Sequence, residues 1–280
     1  MDAALLPVTV VIPVRNEERN LPACLERLAR FAKVIVIDSG STDRTRAIAL
    51  ARGAECVEFR WDGHYPKKRN WLLITRPPTT PWVFFLDADE YVPAAFVDEL
   101  AAAIASTDHV GFRVRYSNHF MGKVLRHGVA QLKLPIFRTG AGLYERIEED
   151  HWSKLDMEVH EHPILDGTIG ELATLVDHQD FKGLEAHEAR HAQYAAWEAR
   201  RYLRLMEAPE GSAHLTAIQK RKYAAITAWW LAPAYFLYIY VLKCGFLDGA
   251  AGLAHARSKG RYFAQIRRNI TELRDPSRRP

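Results

Sequence analysis

The chain has 280 residues, of which 48% are hydrophobic and 26% charged. That is enough for a sizeable core and excludes a disordered or fibrous protein. Its 38 Lys and Arg residues outnumber its 34 Asp and Glu residues only slightly, so the composition is not that of a nucleic-acid-binding protein. Three widely spaced cysteines argue against a disulfide framework or a Cys-based zinc site. The N-terminal residues lack the pattern of a secretory signal, so we expect a cytoplasmic location.

The first part of the chain alternates short β-rich runs with helical patterns. This alternation predicts an α/β fold with a mostly parallel sheet flanked by helices. The run VTVVIPV at residues 8–14 is apolar throughout, as in a strand covered on both faces. Further strands are predicted at residues 34–37, 56–59 and 82–86, and helices at 20–31, 43–52, 66–74 and 93–105.

Beyond residue 105 the pattern is less regular. Residues 110–116 and 131–138 are predicted strands around a polar loop, and we assign them to the same domain. From residue 183 onward the pattern is helical. We therefore predict a first domain at residues 1–180 and a helical C-terminal extension at residues 181–280.

Residues 223–242, YAAITAWWLAPAYFLYIYVL, form an uncharged run with basic residues on both sides. The run is long enough to span a bilayer, but Pro233 interrupts it and it is more aromatic than aliphatic. We favour an element that lies in the membrane interface or re-enters from it, with the flanking cations near anionic head groups. The alternative is a buried helical hairpin of a soluble domain.

Three acidic turns follow predicted strands: Asn16-Glu17-Glu18, residues 38–43 (DSGSTD), and Asp87-Ala88-Asp89-Glu90. A single turn of this kind is usually a helix cap or a β-turn. Three of them at the carboxyl ends of parallel strands lie where open α/β sheets bind ligands. Carboxylate oxygens suit Mg²⁺ or Mn²⁺, which bridges phosphate oxygens. The pattern therefore predicts a metal and phosphate site at this edge.

The segments VVIPVRNEE, VIVIDSGSTDRT and FFLDADE, in that order and spacing, resemble the nucleotide-binding half of the family 2 glycosyltransferases, which have a Rossmann-like GT-A domain. This match is strongest over residues 8–100. The later segments LKLPIFRTG, MEVHEHPILDGTIGEL and CGFLDGAAGLAHA, together with His178, are similar to a bacterial subgroup that builds lipopolysaccharide cores and related envelope glycans.

The resemblance implies inverting transfer of a sugar from a nucleotide-sugar donor, with UDP-sugars favoured, to a glycan or glycolipid acceptor. From the composition we expect no nucleic-acid partner. From the uncharged run and its basic flanks we expect the C-terminal region to hold the enzyme on the inner face of a bacterial cytoplasmic membrane. Pro13, Asn16 and Glu17 would shape the nucleotide pocket. Asp38 would form a hydrogen bond with the base of the nucleotide.

The same resemblance implies a divalent cofactor, Mg²⁺ or Mn²⁺. Asp89 would be its principal ligand, and Asp87 would face both the ribose and the metal. Lys67, Lys68 and Arg69 stand at the start of a predicted helix, where cations can meet a diphosphate. The alternative for these three residues is a solvated basic turn.

Transfer also needs a general base to take the proton of the acceptor hydroxyl. The family places a carboxylate in the segment that holds Glu161, which is our choice for the base. Glu158 and Asp156 are close competitors. His160 and His162 would flank the site, or serve as structural or acceptor-positioning residues.

Three other functions stay open at this point. His187-Glu188-Ala189-Arg190-His191 matches the H-E-x-x-H pattern of zinc peptidases, but no clear third ligand follows it. A nucleotidyltransferase would share the sheet, although PVRNEERN lacks the glycine-rich loop expected after its first strand. An inactive protein that binds sugar nucleotides is the third alternative.

Overall fold

A computed structural model describes residues 5–149, 151–159, 161–179, 183–208, 215–275 and 277, apart from the side chain of residue 118. The chain divides into two compact units. The first comprises residues 1–118 and 131–179, and the second comprises residues 119–130 and 180–280. The segment 119–130, which the sequence-based division assigns to the first domain, therefore belongs with the second unit.

Helices separate the first four strands along the chain. In chain order they are β1 (Leu6–Val14), β2 (Phe31–Asp38), β3 (Glu55–Glu58), β4 (Trp82–Phe85), β5 (Glu90–Tyr91), β6 (Gly111–Phe120), β7 (Lys123–Leu125), β8 (Gln131–Arg138), β9 (Gly142–Tyr144), β10 (Pro163–Leu165), β11 (Ile169–Glu171) and β12 (Val176–Gln179).

The central sheet of the first unit has the order β3-β2-β1-β4-β8-β6-β12-β5, with β11 beside β6. Strands β3, β2, β1 and β4 are parallel. Strand β8 runs antiparallel to both β4 and β6. The predicted fold class is confirmed, since a sheet with a parallel half is flanked by helices. The carboxyl ends of β1, β2 and β4 therefore lie at one edge of the sheet, and the acidic turns that follow these strands are on that edge, as predicted.

Both faces of β1 are buried, as its continuous apolar run predicts. Val10 and Ile12 belong to one core cluster, which includes Phe96 from the helix after β5. Val11 belongs to the cluster on the opposite face, which includes Leu72. Because successive side chains of a strand point to opposite faces, helices must cover both sides of this sheet.

The helices of the first unit are α1 (Leu21–Leu25), α2 (Thr45–Ala51), α3 (Lys68–Thr75) and α4 (Ala94–Ala105). The last three begin and end within two residues of the predicted bounds. The first is shorter than predicted, because a 3₁₀ turn at Glu26–Leu28 ends it and β2 begins at Phe31. The apolar spacing in this segment predicted a helix correctly, but β2 begins at Phe31, before the strand predicted at residues 34–37.

The second unit is helical, as predicted for the C-terminal extension. Its elements are α5 (Gly183–Glu207), α6 (Ala217–Ala225), α7 (Leu231–Leu237), a π-helical turn (Tyr238–Leu242), a 3₁₀ turn (Gly245–Asp248) and α8 (Gly249–Arg274). Its core combines alanine and isoleucine side chains with leucines and tyrosines; the buried members are Ala195, Ala199, Tyr202, Leu205, Leu215, Tyr223, Ile226, Ile266 and Ile270.

Residues 119–130 are tied to the second unit by hydrogen bonds to the turn before α8. The backbone N–H groups of Arg126 and His127 donate to the Asp248 carboxylate at 3.1 and 2.9 Å. The N–H of Gly128 donates to the Lys243 carbonyl at 2.9 Å. The Asp248 carboxylate therefore fixes this segment, and it makes no capping hydrogen bond to α8, which begins at the next residue.

The uncharged run at residues 223–242 is not one continuous helix. It is broken between α6 and α7, and Pro233 falls in the first turn of α7, where a proline is tolerated. Trp229 and Leu242 are 73% and 74% exposed, whereas Tyr223, Ile226 and Ile239 are buried, so this segment is partly exposed and partly buried. Among the described residues no single helix combines the length and hydropathy needed to cross a bilayer; only Leu231–Leu242 together with Gly245–Arg274, bent by 73°, meets both conditions.

Candidate active site

Two of the residues predicted to bind the nucleotide, Asn16 after β1 and Asp38 at the end of β2, are both hydrogen-bonded to the loop that follows β2. The Asn16 side-chain oxygen accepts a hydrogen bond from the Thr42 N–H at 2.8 Å. Asn16 has a φ of 57°, a left-handed conformation that asparagine tolerates better than most residues. The buried Asp38 carboxylate accepts from the backbone N–H and hydroxyl of Ser41 at 2.9 and 2.6 Å. Both side chains thus shape the loop that follows β2.

Pro13 and Glu17 support the same edge. Pro13 lies in β1 opposite Ile37 of β2 and is buried. The N–H of Glu17 donates to the Thr45 hydroxyl at 2.8 Å, and its carboxylate accepts from the Asn20 amide at 2.8 Å. Glu17 therefore links the loop after β1 to the start of α2.

An open cleft of about 420 Å³ lies over the ends of β1, β2 and β3. Ser39 and Gly40, next to Asp38, lie on one side of it, and Phe59 and Trp61 after β3 lie on another. Arg15 contributes an exposed cation. The cleft combines aromatic surface with charged and hydroxyl groups, which is a suitable lining for a nucleoside.

Asp87 has both carboxylate oxygens paired with cations. Arg69 Nη2 lies 3.0 Å from its Oδ1, and Lys133 Nζ lies 3.1 Å from its Oδ2. Burial alone would raise the pKa of Asp87, but the charges of Lys133 and Arg69 hold it well below its usual range. Asp87 is therefore a charged carboxylate that is already neutralised by its neighbours.

Lys133 on β8 is the residue of this site that the sequence analysis missed. Its Nζ also lies 2.5 Å from the Glu90 carboxylate, whose other oxygen accepts from the Asp87 N–H at 3.0 Å. The segment LKLPIFRTG contains Lys133, but only the pairing of β8 with β4 brings it to the acidic turn. That pairing is not visible in the spacing of apolar residues.

Asp89 faces an imidazole instead of a Lys or Arg side chain. His178 Nε2 on β12 lies 3.6 Å from Asp89 Oδ2, and the N–H of Gln179 donates to the Asp89 carbonyl at 2.9 Å. Burial would lower the pKa of His178, but the hydrogen bond and charge of Asp89 raise it. A carboxylate oxygen and an imidazole nitrogen side by side form a donor pair that fits a divalent cation such as Mn²⁺.

The three cations at the start of α3 point to different partners. Arg69 reaches Asp87, as described above. Lys68 is buried, with its Nζ 3.2 Å from Asp156. Lys67 is also buried, with its Nζ 2.9 Å from Glu161 and paired with Glu149 as well. Lys67 differs most from the expectation of a diphosphate contact, because it lies among carboxylates and not in the open cleft.

The carboxylates considered as the general base are all engaged by donors. Glu161 is 2% exposed at its side chain and accepts from Lys67 Nζ and from the Val159 N–H at 2.9 Å each. Glu158 accepts from the N–H groups of Arg69 and Asn70, at 2.9 and 3.0 Å, and so caps α3. Asp156, 27% exposed, accepts from Ser39 and Lys68.

Of the two histidines predicted beside this segment, His162 has its carbonyl hydrogen-bonded to the N–H of Glu145 at 3.0 Å. His160 lies outside the described residues.

The H-E-x-x-H pattern lies in the second unit, on α5. The rings of His187 and His191 are 4.1 Å apart, so the two imidazoles do share a helix face. Glu188, however, pairs with Arg261 at 3.0 Å. Within the described ranges no group of three His, Cys, Asp or Glu side chains is placed to hold a metal ion. This arrangement does not support a zinc peptidase.

The family described as "Glycosyl transferase family 2" has a model that matches residues 9–153, which cover β1 to the loop after β9. One curated relative is the lipopolysaccharide core biosynthesis glycosyltransferase LpsC of Rhizobium meliloti (strain 1021). It is 30% identical over 177 residues, which cover 60% of this chain and 61% of LpsC. The uncharacterized glycosyltransferase Rv0539 of Mycobacterium tuberculosis is 35% identical over 97 residues, or 35% of this chain and 43% of that protein. The match thus spans about three fifths of the length of LpsC and less than half the length of Rv0539.

Among solved structures, the chain is similar to glucosyl-3-phosphoglycerate synthase from Mycobacterium tuberculosis, crystallised with Mn²⁺, UDP-glucose and phosphoglyceric acid. The identity is 26%, the TM-score is 0.33, and the match covers 39% of this chain and 43% of that one. A TM-score of this size is too low to bear on substrate or mechanism.

Proposed function

Because this chain belongs to glycosyl transferase family 2, we propose that it transfers a sugar, with inversion, from a nucleoside diphosphate sugar to a hydroxyl group of a lipid-linked or lipopolysaccharide-core acceptor. The observation that carries the proposal is the acidic edge of the sheet, where Asp87 and Asp89 follow β4 beside the turn that Asp38 stabilises. The similarity to LpsC, which is named for lipopolysaccharide core biosynthesis, supports the acceptor class.

The donor nucleoside would lie in the cleft over β1, β2 and β3. Trp61, which is partly exposed, offers aromatic surface for a base, and Ser39 and Gly40 offer polar backbone next to Asp38. We assign the donor to the UDP-sugars. Asp87, held by Arg69 and Lys133, would then be positioned to face the ribose.

A divalent cation, Mg²⁺ or Mn²⁺, would be held by Asp89 with His178 as the neighbouring donor. When bound there, such an ion would offset the charge that develops on the leaving diphosphate. The chain's own contribution is geometric. The N–H of Gln179 fixes the Asp89 backbone, and β12 holds the His178 ring beside the carboxylate.

Glu161 remains the proposed general base. In the structure its carboxylate is enclosed and paired with Lys67. Lys67 Nζ donates to one oxygen of this carboxylate and the Val159 N–H to the other. An acceptor hydroxyl that gives its proton to Glu161 would replace one of these donors.

The second unit is proposed to seat the enzyme on the cytoplasmic face of a bacterial membrane. From Trp229 to Leu247, large apolar side chains are exposed on α7 and the turns beside it; they are Trp229, Trp230, Leu237, Val241, Leu242, Phe246 and Leu247. Lys243 lies within this segment. Exposed aromatic and aliphatic groups beside a cation suit the interface of an anionic bilayer.

The test of the function begins with Asp89→Asn. The wild-type protein should gain thermal stability from UDP with Mn²⁺, and should release UDP from a UDP-sugar when an extract of lipid-linked saccharides is supplied. Asp89→Asn should lose the stabilisation, and its kcat/KM should fall by about 10²–10³-fold, because the metal ligand is gone. The matched control is Asp98→Asn on α4, an exposed carboxylate paired with Arg30.

If Asp89→Asn transfers sugar at the wild-type rate, the assignment of Asp89 as the metal ligand is wrong. A wild-type protein that binds UDP with Mn²⁺ but transfers no sugar from any UDP- or GDP-sugar would favour an inactive binding protein.

A further inference from the structure

Strands β6 and β7 form a hairpin whose tip is Met121-Gly122. Phe120 ends β6, Lys123 begins β7 and the two strands pair, so two residues make the turn. Both have a positive φ, 52° at Met121 and 71° at Gly122, as a type I′ turn requires. Glycine, asparagine and aspartate suit such positions better than methionine does. The tip nevertheless carries an apolar side chain that is 57% exposed, and Val124 on β7 is exposed as well.

The segment 119–130, which contains this tip, is held by the second unit at both ends. The buried Phe120 ring lies with its centre 5.2 Å from that of the His187 ring on α5 and 5.6 Å from that of the His255 ring on α8. At the other end the segment is hydrogen-bonded to Asp248. The exposed tip between these two anchors is therefore presented by ordered structure and is not a free end.

The segment adds apolar surface next to the residues already proposed to contact the membrane. The N–H of Gly128 donates to the Lys243 carbonyl at 2.9 Å. Val129 and Leu242 are each one residue away from this hydrogen bond, and both are exposed. The exposed apolar groups of the segment therefore adjoin those of residues 229–247, within the same unit.

The charge of this part of the chain is complementary to an anionic surface. Residues 119–130 contain Lys123 and Arg126 but no Asp or Glu, and residues 215–271 contain nine Lys or Arg and one acidic residue, Asp248. The Asp248 carboxylate is turned inward and engaged by the segment. Helix α5, in contrast, has four Glu and four Arg. Apolar groups beside an excess of cations suit an anionic bilayer, whereas a second copy of the chain would bring the same positive charge against them.

We propose that the tip of the β6–β7 hairpin is a second membrane-contacting element, which inserts Met121 and Val124 into the head-group region of an anionic bilayer. Lys123 and Arg126 contact the lipid phosphates. This inference rests on the membrane contact proposed for residues 229–247 and adds to it a contact from a distant part of the sequence. Two elements on one bilayer fix the orientation of the second unit, because a single contact leaves the unit free to tilt about it.

Flotation of the full chain with vesicles that contain phosphatidylglycerol tests the hairpin directly. The double variant Met121→Glu with Val124→Glu should lower the partition coefficient at least tenfold, because two charges would have to enter the apolar part of the interface. The matched control is Leu184→Glu with Met206→Glu, which changes two exposed apolar residues of α5 and alters the net charge equally. The control should partition within about threefold of the wild type.

A gain of binding keeps the test decisive if the charged hairpin variant does not fold. Met121→Trp should partition at least threefold more strongly than the wild type, because the indole ring favours the membrane interface. Met206→Trp, at a methionine that is 54% exposed on α5, should partition as the wild type does. Circular dichroism melting establishes that each variant is folded, and the stabilisation by UDP with Mn²⁺ should be unchanged in all of them.

The proposal is overturned if the folded double variant of the hairpin floats as the wild type does, or if the α5 control loses as much binding. It is also overturned if sedimentation velocity without vesicles shows a wild-type dimer that the hairpin variant dissociates, because the tip would then contact a second copy of the chain. Failure of the membrane contact of residues 229–247 looks different, since the wild type itself would not float and both contacts would be wrong. Failure of sugar transfer would leave the flotation results unchanged.

Discussion

Among single residues, carboxylates of the same type serve different purposes because different donors reach them. Asp38 stabilises the turn after β2, Asp87 is neutralised by two cations, and Asp89 stands beside an imidazole. Glu161 shares a buried ammonium with Glu149. The chemistry available at each position is set by its neighbours more than by the residue itself.

The choice of general base can be settled with amide variants. Glu161→Gln should lower kcat by about 10²–10⁴-fold and keep the stabilisation by UDP with Mn²⁺, because it removes proton transfer and not donor binding. Glu158→Gln should instead lower the free energy of unfolding by about 1–2 kcal/mol, since Glu158 caps α3. Steady-state kinetics and urea unfolding measure the two effects. If Glu158→Gln or Asp156→Asn loses turnover while Glu161→Gln retains it, the base is reassigned to that residue.

Among the elements, the turn before α8 depends on close approach of two backbone segments. A Cβ at Gly252 would lie 1.9 Å from the Gly245 carbonyl oxygen, far inside van der Waals contact. Cys244, which begins this turn, has a φ of 55°. Glycine at position 252 is therefore required by space, although glycine is otherwise unfavourable inside a helix.

This packing predicts opposite effects for two glycines of α8. Gly252→Ala should lower the free energy of unfolding by about 1–3 kcal/mol, because the new methyl group overlaps a backbone oxygen that cannot swing away. Gly260→Ala is the matched control, since its Cβ would lie 3.4 Å from the Ala232 carbonyl oxygen. It should be neutral, or stabilising by up to about 1 kcal/mol. Urea unfolding compares the two, and equal effects would contradict the packing argument.

For the whole molecule, the near-neutral composition hides a division between the two units. The acidic turns after β1, β2 and β4 all belong to the first unit. The exposed apolar segment between Trp229 and Leu247 belongs to the second. The nucleotide chemistry and the membrane contact are thus proposed for different parts of the chain.

Flotation of the full chain with vesicles that contain anionic phosphatidylglycerol tests the membrane contact. The double variant Trp229→Glu with Leu242→Glu should lose at least tenfold in partitioning, because insertion of each side chain contributes about 1.5–3 kcal/mol. Leu50→Glu is the matched control, since Leu50 is an exposed leucine of the first unit. High salt should weaken the wild-type binding. Unchanged flotation of a folded double variant would contradict the membrane proposal.

Much of the fold could be predicted from sequence because its signals are local. The apolar run of β1 and the abrupt acidic end of β4 identify strands and their carboxyl edge without reference to the rest of the chain. Lys133 and His178 could not be placed in the same way, since strand pairing over long separations brings them to Asp87 and Asp89. The burial of Lys67 was missed for the same reason, because its partners Glu149 and Glu161 lie on a distant loop.

The segment 119–130 has a consequence for how the protein is made. It leaves the ribosome well before residues 243–248, which supply its hydrogen-bond partners Lys243 and Asp248. The sheet of the first unit, in contrast, has all its strands once residue 179 has emerged. During synthesis the first unit can therefore fold while this segment still lacks its partners, and the second unit can assemble only after residue 248 has emerged.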